Sequence, residues 1–180
     1  MYKDNCQLHY IIPCGIFLPV TPDVLQYIDR ICRENTDLCI GKTLEIGSMD
    51  VNGSVSHHFS DYTGLDMRPG PNVDIVSNGH DIPFSNEHFD LVLILETLEH
   101  DNRFWVTLLE IWRILKPGGM AIITVPNIGF QRHDYPSDYW RFTADGLKEL
   151  FVWANLTPTD IIDKEYAVFG LAIKTVEPLC

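Results

Sequence analysis

Two rhythms of apolar residues alternate along this chain. Val24, Leu25, Ile28, Ile31 and Cys32 recur every three or four positions, the spacing of one helix face. Thr21, Pro22 and Asp23 precede them as a helix start, with a hydroxyl for the N-cap, proline at the first helical position and an acid in the first turn. The short run "KTLEIG" (42–47) ends in glycine, and a helix is predicted after it from about Gly53 to Ser60. "YTGLD" (62–66) and "NVDIV" (72–76) are two further short runs. "FDLVLIL" (89–95) is continuously apolar, as expected of a strand covered on both faces of a parallel sheet. Asp101 is the predicted cap of a helix on which Phe104, Trp105, Leu108, Leu109, Trp112 and Leu115 make a broad apolar face, with "KPGG" (116–119) as its stop. "MAIITV" (120–125) is another buried strand, halted by Pro126. Thr143 opens a last helix reaching about Trp153, and "DIID" with "YAVFGLAIKTV" reads as a closing strand pair.

Strands alternating with helices predict an α/β fold, a Rossmann-like, doubly wound and mostly parallel sheet with an antiparallel strand at its C-terminal end. One connection departs from the pattern. Only residues 67 to 72 separate the second and third runs, too few for the usual helical crossover. Extended, they span about 20 Å, enough for a crossover without a helix. No repeat or linker divides the chain, so residues 1–180 read as one domain: an N-terminal segment and helix (1–41) packed on the core, and a ligand-binding sheet with its loops (42–180).

Composition narrows the partners. Thirteen basic against twenty-five acidic residues give a formal net charge of −12, so nucleic acid, which needs a basic surface, is not an expected partner. The five cysteines are odd in number and form no CxxC pair, so neither a disulfide framework nor a metal site is expected, and a reducing, cytoplasmic setting fits. The apolar segment "YIIPCGIFLPV" (10–20) is broken by Pro13, Gly15 and Pro19 and is too short to span a bilayer. Lys3 ahead of it is offset by Asp4, against a signal peptide, and the segment is expected to pack on the core.

In an open parallel sheet, ligands bind beyond the carboxyl ends of the strands. The residues to read are therefore 47–53, Asp66, 80–82, 96–100 and those from Pro126 onward. Asp66 stands 19 residues beyond Gly47 at the end of the next strand, where a carboxylate can accept both hydroxyls of a ribose. Such charge-assisted hydrogen bonds are worth roughly 1.5–3 kcal/mol each, enough to fix a ligand's orientation.

"LEIGSMDVNGS", "YTGLD", "HDIPFSNEHFDLVLILETLEH" and "EIWRILKPGGMAIITVPN" resemble, in order and spacing, the motifs of class I S-adenosylmethionine-dependent methyltransferases, the type 11 group in particular, over about residues 42 to 152. The resemblance implies S-adenosylmethionine as cofactor. It implies that Glu45 and Gly47 begin the loop under the methionine moiety, with Ser48, Asp50 and Gly53 continuing it. It further implies that Asp66 binds the ribose with Met67 beside the adenine, that Asp81 and Ile82 recognise the adenine amino group and ring, and that Leu95 and Glu96 border the sulfonium and the acceptor pocket. The physics favours this ligand over a dinucleotide: it has no phosphate, so the loop need not present a row of amides. Its ammonium and sulfonium also suit a cleft lined by Glu45, Asp50, Asp66, Asp81 and Glu96. Met49 and Val51 stand where the family has glycines, which leaves Asn52-Gly53 to make the tight turn.

On the acceptor side, "NIGFQRHDYPSDYWRFT" (127–143) gathers His133, Asp134, Tyr135, Asp138, Tyr139, Trp140 and Arg141. Tyr135, Tyr139, Trp140 and Arg141 are candidates to hold a substrate, while His133 (with Asp134) and His100 are alternative general bases between which the sequence does not choose. The aromatic residues could instead pack back over the sheet, and His100 could serve only the helix start. His57 and His58 have no third ligand in view and are assigned to a solvated face. A similar loop in methyltransferases of surface-glycan biosynthesis points to a small-molecule or glycan acceptor, methylated at oxygen. The alternative is a non-catalytic S-adenosylmethionine-binding or assembly module of the same fold. A nicotinamide oxidoreductase is disfavoured because "GSMDVNG" lacks the glycine spacing for a pyrophosphate.

Overall fold

Helix α1 runs Pro22–Glu34 in a computed structural model that describes residues 22–50, 53–133 and 137–175. Thr21 and the apolar segment 10–20 lie outside the described residues. A short α2 (Thr36–Ile40) leads into β1 (Lys42–Ile46), followed by β2 (Asp61–Asp66), β3 (Ile75–Val76), β4 (Phe89–Leu95), α3 (Phe104–Ile114), β5 (Leu115–Pro126), α4 (Ala144–Trp153), β6 (Leu156–Asp163) and β7 (Ala167–Lys174). The seven strands form one sheet in the order β3-β2-β1-β4-β5-β7-β6. Strands β1 to β5 pair in parallel, and β7 runs antiparallel between β5 and β6. Strand order reverses at β1, which pairs with β2 on one side and β4 on the other, so the ligand crevice opens at the ends of those strands.

Strand β4 shows why its sequence is apolar throughout. Val92 and Ile94 point into a core with Leu108 and Ile111 of α3 and Leu147 and Phe151 of α4. Leu91, Leu93 and Leu95 point the other way, toward Val24, Tyr27, Ile28 and Ile31 of α1. Each such side chain contributes roughly 1.5–3 kcal/mol on burial. Leu25 and Cys32, predicted on the same helix face, are only partly buried at its margin. Thr143 caps α4 as expected, its hydroxyl accepting from the Gly146 amide. The closing strand pair is present as β6 and β7.

Several elements differ from the sequence reading. The helix predicted over 53–60 is only a 3₁₀ turn, Ser56–His58. The Ser54 hydroxyl accepts from the Ser56 amide, a local bond that competes with helix, and Val55 and Phe59 drop into the core under α1. "KPGG" does not follow a helix end as a loop: α3 stops at Ile114 and β5 starts at once, with 116–119 bulging within it and Lys116 held by Asp90 at 2.7 Å. Asp101 is not the α3 cap. Arg103 takes that position, while the Asp101 carboxylate accepts from the Arg103 amide and the Thr107 hydroxyl. The α3 apolar face is also narrower than predicted: Leu108, Ile111 and Ile114 are buried, but Trp105, Leu109 and Trp112 stay substantially exposed. Trp112 is partnered by the buried Lys174 ammonium, 4.4 Å from its ring centroid.

The run 72–76 forms a strand only at Ile75 and Val76, because the residues before it do something else. The helix-free crossover 67–74 folds back across β2. Gly64 permits this approach: a Cβ there would stand 1.9 Å from the Asn72 carbonyl oxygen. The Gly64 amide donates to Asp74, and its carbonyl accepts from the Asp74 amide. Gly64→Ala is therefore expected to destabilise the fold by about 2–3 kcal/mol or more through overpacking against main chain. Urea unfolding measures this, and an unchanged midpoint would show that 67–74 does not lie on β2.

Candidate active site

Parallel register sets Gly47, Met67, Ser77 and Glu96 just past the ends of four adjacent strands, along one edge of the sheet. The first loop is fastened there from below. The Gly47 and Ser48 amides both donate to the Leu65 carbonyl, and the Ser48 hydroxyl donates to the Asn72 carbonyl. Asn72, itself at φ 65°, returns its side-chain amide to the Ser48 carbonyl and to the Tyr62 hydroxyl. Tyr62 in turn donates to Glu45 at 2.5 Å. Gly47 has φ +78°, and a Cβ there would come within 2.3 Å of the Thr97 hydroxyl, so glycine lets this loop abut the loop after β4. Asp50 closes the turn by accepting from the Gly53 amide at 2.8 Å; Val51 and Asn52 between them lie outside the described residues.

The predicted cofactor residues divide into two groups. Asp66 ends β2 half-buried, one carboxylate oxygen taking the Arg68 amide at 3.0 Å, with Met67 beside it 74% exposed. Asp81 is exposed, and Leu95 and Glu96 stand at the end of β4. Glu45 and Ile82 are turned inward. Glu45 is enclosed under the loop, where burial pushes its carboxyl up to about 7. Ile82 is 2% exposed in the core under α3, with its amide donating to Glu110 and its carbonyl accepting from Arg113, so it offers a ligand neither side chain nor main chain.

After β4, "ETLEH" forms a turn whose side chains meet the loop after β5. Glu96 adopts φ 45°, a left-handed conformation that costs a non-glycine residue roughly 1–2 kcal/mol. Glu99 is buried and Glu96 half-buried, and the buried oxygens Glu96 Oε1 and Glu99 Oε2 have no hydrogen-bond partner. Burial pushes Glu96 up to about 7 and Glu99 well above the usual carboxylate range, with repulsion from Glu96 adding to the latter. His100 Nδ1 lies 3.0 Å from the Ser137 carbonyl, and its Nε2 lies 3.0 Å from Nε2 of His133. The two predicted bases are thus one cluster. Burial depresses the His100 pKa.

Arg141 holds the loop that brings His133 in. Its guanidinium bonds both carboxylate oxygens of Asp138 and the carbonyls of Phe130, Gln131 and Trp140, which occupies all five of its N–H groups. Buried in this clamp and accepting also from the His133 amide, Asp138 titrates down at about 2. Arg141, predicted to hold a substrate, is thereby a structural residue. Trp140 likewise packs edge-on to Phe104, 5.5 Å between centroids, and its indole donates to the Asp101 carbonyl. Tyr139 is 51% exposed at the loop surface, while Asp134 and Tyr135 lie outside the described residues.

Residues 47–123, fewer than half of the 180, match a family model described as a methyltransferase domain. Over those residues the chain is similar to a methyltransferase domain, and its sheet has the fold of the class I S-adenosylmethionine-dependent methyltransferases. A curated relative, "Probable phthiotriol/phenolphthiotriol dimycocerosates methyltransferase 2" of Mycobacterium ulcerans, is 39% identical over 70 residues, covering 32% of this chain and 27% of that protein. The chain spans about a quarter of the length of the curated relatives it matches. Among solved structures, the Burkholderia thailandensis 1,6-didemethyltoxoflavin-N1-methyltransferase, with bound 1,6-didemethyltoxoflavin and S-adenosylhomocysteine, superposes with a TM-score of 0.67 at 19% identity over 84% of this chain and 78% of that one. The [4+2]-cyclase SpnF superposes with a TM-score of 0.65 at 15% identity over 84% and 81%. These likenesses share the fold.

At this site the sequence alone gives no role to Tyr62, Asn72 and Glu99, nor the clamping role of Asp138. Glu99 had a visible signal, a second acid three residues after Glu96 and next to His100. Tyr62 and Asn72 had none, since their partners come from different strands. The buried Glu45 gives a pH test. Its folded carboxyl titrates near 7 against about 4.5 when unfolded, so the folded state holds the proton more tightly, and stability falls as pH rises through that window. Glu45→Gln keeps an acceptor for Tyr62 and removes the charge. It is expected to gain roughly 2–3 kcal/mol over wild type at about pH 8 and nothing at about pH 4. Urea unfolding at both pH values checks this, and an equal gain at both would place the cause elsewhere.

Proposed function

We propose that this domain binds S-adenosylmethionine along the β1–β2–β4 edge and transfers its methyl group to an oxygen of a small-molecule or glycan acceptor. The observation that carries the cofactor reading is the segment after β1. Among the described residues no α-helix lies between β1 and β2, only the turn Ser56–His58, so no helix N-terminus is offered to a pyrophosphate. The edge offers acids instead: Asp66, Asp81 and the buried, unpartnered Glu96 Oε1 suit a ligand carrying a ribose, an ammonium and a sulfonium. In this reading Asp66 takes the ribose, Met67 and Asp81 flank the adenine, and Gly47, Ser48, Asp50 and Gly53 shape the loop at the methionine end. Leu95 and Glu96 stand at the reacting end. The bound cofactor supplies a methyl group on a cationic sulfur, open to in-line displacement.

The chain's own part is alignment and exclusion of water. In this reading the acceptor lies beside residues 127–133 and 137–141, where Tyr139 is exposed, and its hydroxyl proton leaves toward the cluster of Glu99, His100 and His133. An oxygen acceptor fits that cluster because a hydroxyl must lose a proton. The mycobacterial relatives, named for a triol, carry hydroxyl-bearing acceptors in their names. No described helix is long and apolar enough to cross a membrane, and with Cys32 and Cys39 as free thiols a cytoplasmic setting suits a single domain of this kind.

Titration calorimetry with S-adenosylhomocysteine and NAD tests the cofactor. Binding of the first alone is expected, with Asp66→Ala weakening it about tenfold or more, the loss of one or two charged hydrogen bonds. Unchanged affinity in a folded Asp66→Ala variant would remove Asp66 from the site. Binding without methyl transfer across a panel of hydroxylated metabolites, lipids and sugar nucleotides would instead favour a non-catalytic binding module.

A further inference from the structure

We propose that Glu99, His100 and His133 bind one divalent first-row transition-metal ion, with Glu96 beside them to complete the site. One carboxylate oxygen of Glu99 and one ring nitrogen from each histidine lie within 4.8 Å of one another. Nε2 of His100 is 3.0 Å from Nε2 of His133 and 3.6 Å from Oε1 of Glu99. Ligands held tetrahedrally at about 2.0–2.1 Å from an ion stand roughly 3.3 Å apart, so the histidine pair already has that spacing and Glu99 needs only a side-chain adjustment.

The outer contacts point the same way. A metal-binding imidazole donates its other N–H to a carbonyl or carboxylate, which fixes the tautomer that turns a lone pair to the ion. His100 Nδ1 lies 3.0 Å from the Ser137 carbonyl, and His133 Nδ1 lies 3.2 Å from Asp138 Oδ2. The two Nε2 atoms therefore meet at one point, 3.0 Å apart, where an ion can take the place of the proton they share. At the same place Glu99 Oε2 and Glu96 Oε1 are buried without a partner. Two carboxyls buried together ionise readily only where a cation answers them, and the hydrogen-bond donors of Arg141 are taken by Asp138 and main chain. Two imidazoles with one or two carboxylates suit zinc or manganese-to-cobalt ions better than magnesium, which prefers all-oxygen shells and retains its water.

This deepens the proposed function and rests on it for its role: beside the methyl donor, the ion's open position would take the acceptor oxygen and lower the pKa of its hydroxyl, whose proton would then pass to the Glu96 carboxylate instead of to the three ligands. Metal binding itself is tested without cofactor or acceptor, so the two readings fail separately. Chelator-treated protein is titrated with Zn²⁺ by calorimetry and with Co²⁺ by visible absorption, and Mg²⁺ is run in parallel. One Zn²⁺ or Co²⁺ per chain is expected, with Co²⁺ ligand-field bands and markedly weaker Mg²⁺ binding. His100→Ala and His133→Ala should each weaken Zn²⁺ by at least about 100-fold, beyond the 10–100-fold that losing an outer partner costs. Glu99→Gln should weaken it as well, while His57→Ala and the double variant Cys32→Ser/Cys39→Ser should leave it unchanged. Far-UV circular dichroism selects folded variants, and His100→Asn and His133→Asn replace either alanine variant that unfolds. Absence of Zn²⁺ binding by the folded wild type, unchanged affinity in a folded histidine variant, or loss in the cysteine variant would overturn the site.

Discussion

The missing Cβ of Gly64 is the constraint on which the ligand edge depends. A side chain there would strike the Asn72 carbonyl, and Asn72 is the residue that joins three pieces of chain. Through its carbonyl and its side-chain amide it holds the first loop at Ser48, and through Tyr62 it reaches Glu45 in the strand below. A crossover that would ordinarily be a helix packed beside the sheet is here a short strap laid on it. Close main-chain contact and hydrogen bonds replace the apolar helix face that this connection lacks. The loop after β1 consequently gets its shape from residues around 70 as much as from its own glycines, which is how Met49 is accommodated: it packs toward Gly70.

A second theme is the distribution of buried acid. Glu45, Glu96 and Glu99 are withdrawn from solvent and held toward their neutral forms, although the chain is strongly acidic overall. Asp138 shows the opposite behaviour in nearly the same place, because a guanidinium answers it directly. Burial without a cation raises a carboxyl pKa and a paired cation lowers it, and this domain uses both within one loop cluster. The three raised groups sit under or beside the edge where a cationic ligand is proposed, so ligand charge would be met by groups able to ionise in response.

Much of the fold was legible because it is written in local periodicity. The continuous run 89–95, the capping Thr143 and the closing strand pair read correctly, and the shortness of 67–72 announced a crossover without a helix. The errors share a cause: tertiary contacts overrode local signals. Asp101 looked like a cap but is drawn to Thr107 and His80, and "KPGG" looked like a stop but is carried into the sheet by Asp90. At the site, residues at strand ends were named from topology and from the family resemblance. Their orientation was not, so Ile82 and Arg141 were assigned to ligands although the structure gives them to the core and to the loop. The nearness of His100 to His133 was equally invisible, since it depends on the contacts of Asp138 and Arg141 with residues 130–133.

Arg141 has a consequence of a different kind. Apart from Asp138, its partners are carbonyl oxygens of Phe130, Gln131 and Trp140, groups that every amino acid supplies. The clamp therefore places almost no demand on which side chains occupy the loop's outer surface. A lineage could exchange residues such as Gln131 or Tyr139 to suit a new acceptor while the hinge of the loop, and the cofactor edge behind it, stayed in register. If the proposed acceptor site is right, selectivity and scaffold are separable in this protein because the contact joining them is written in main chain.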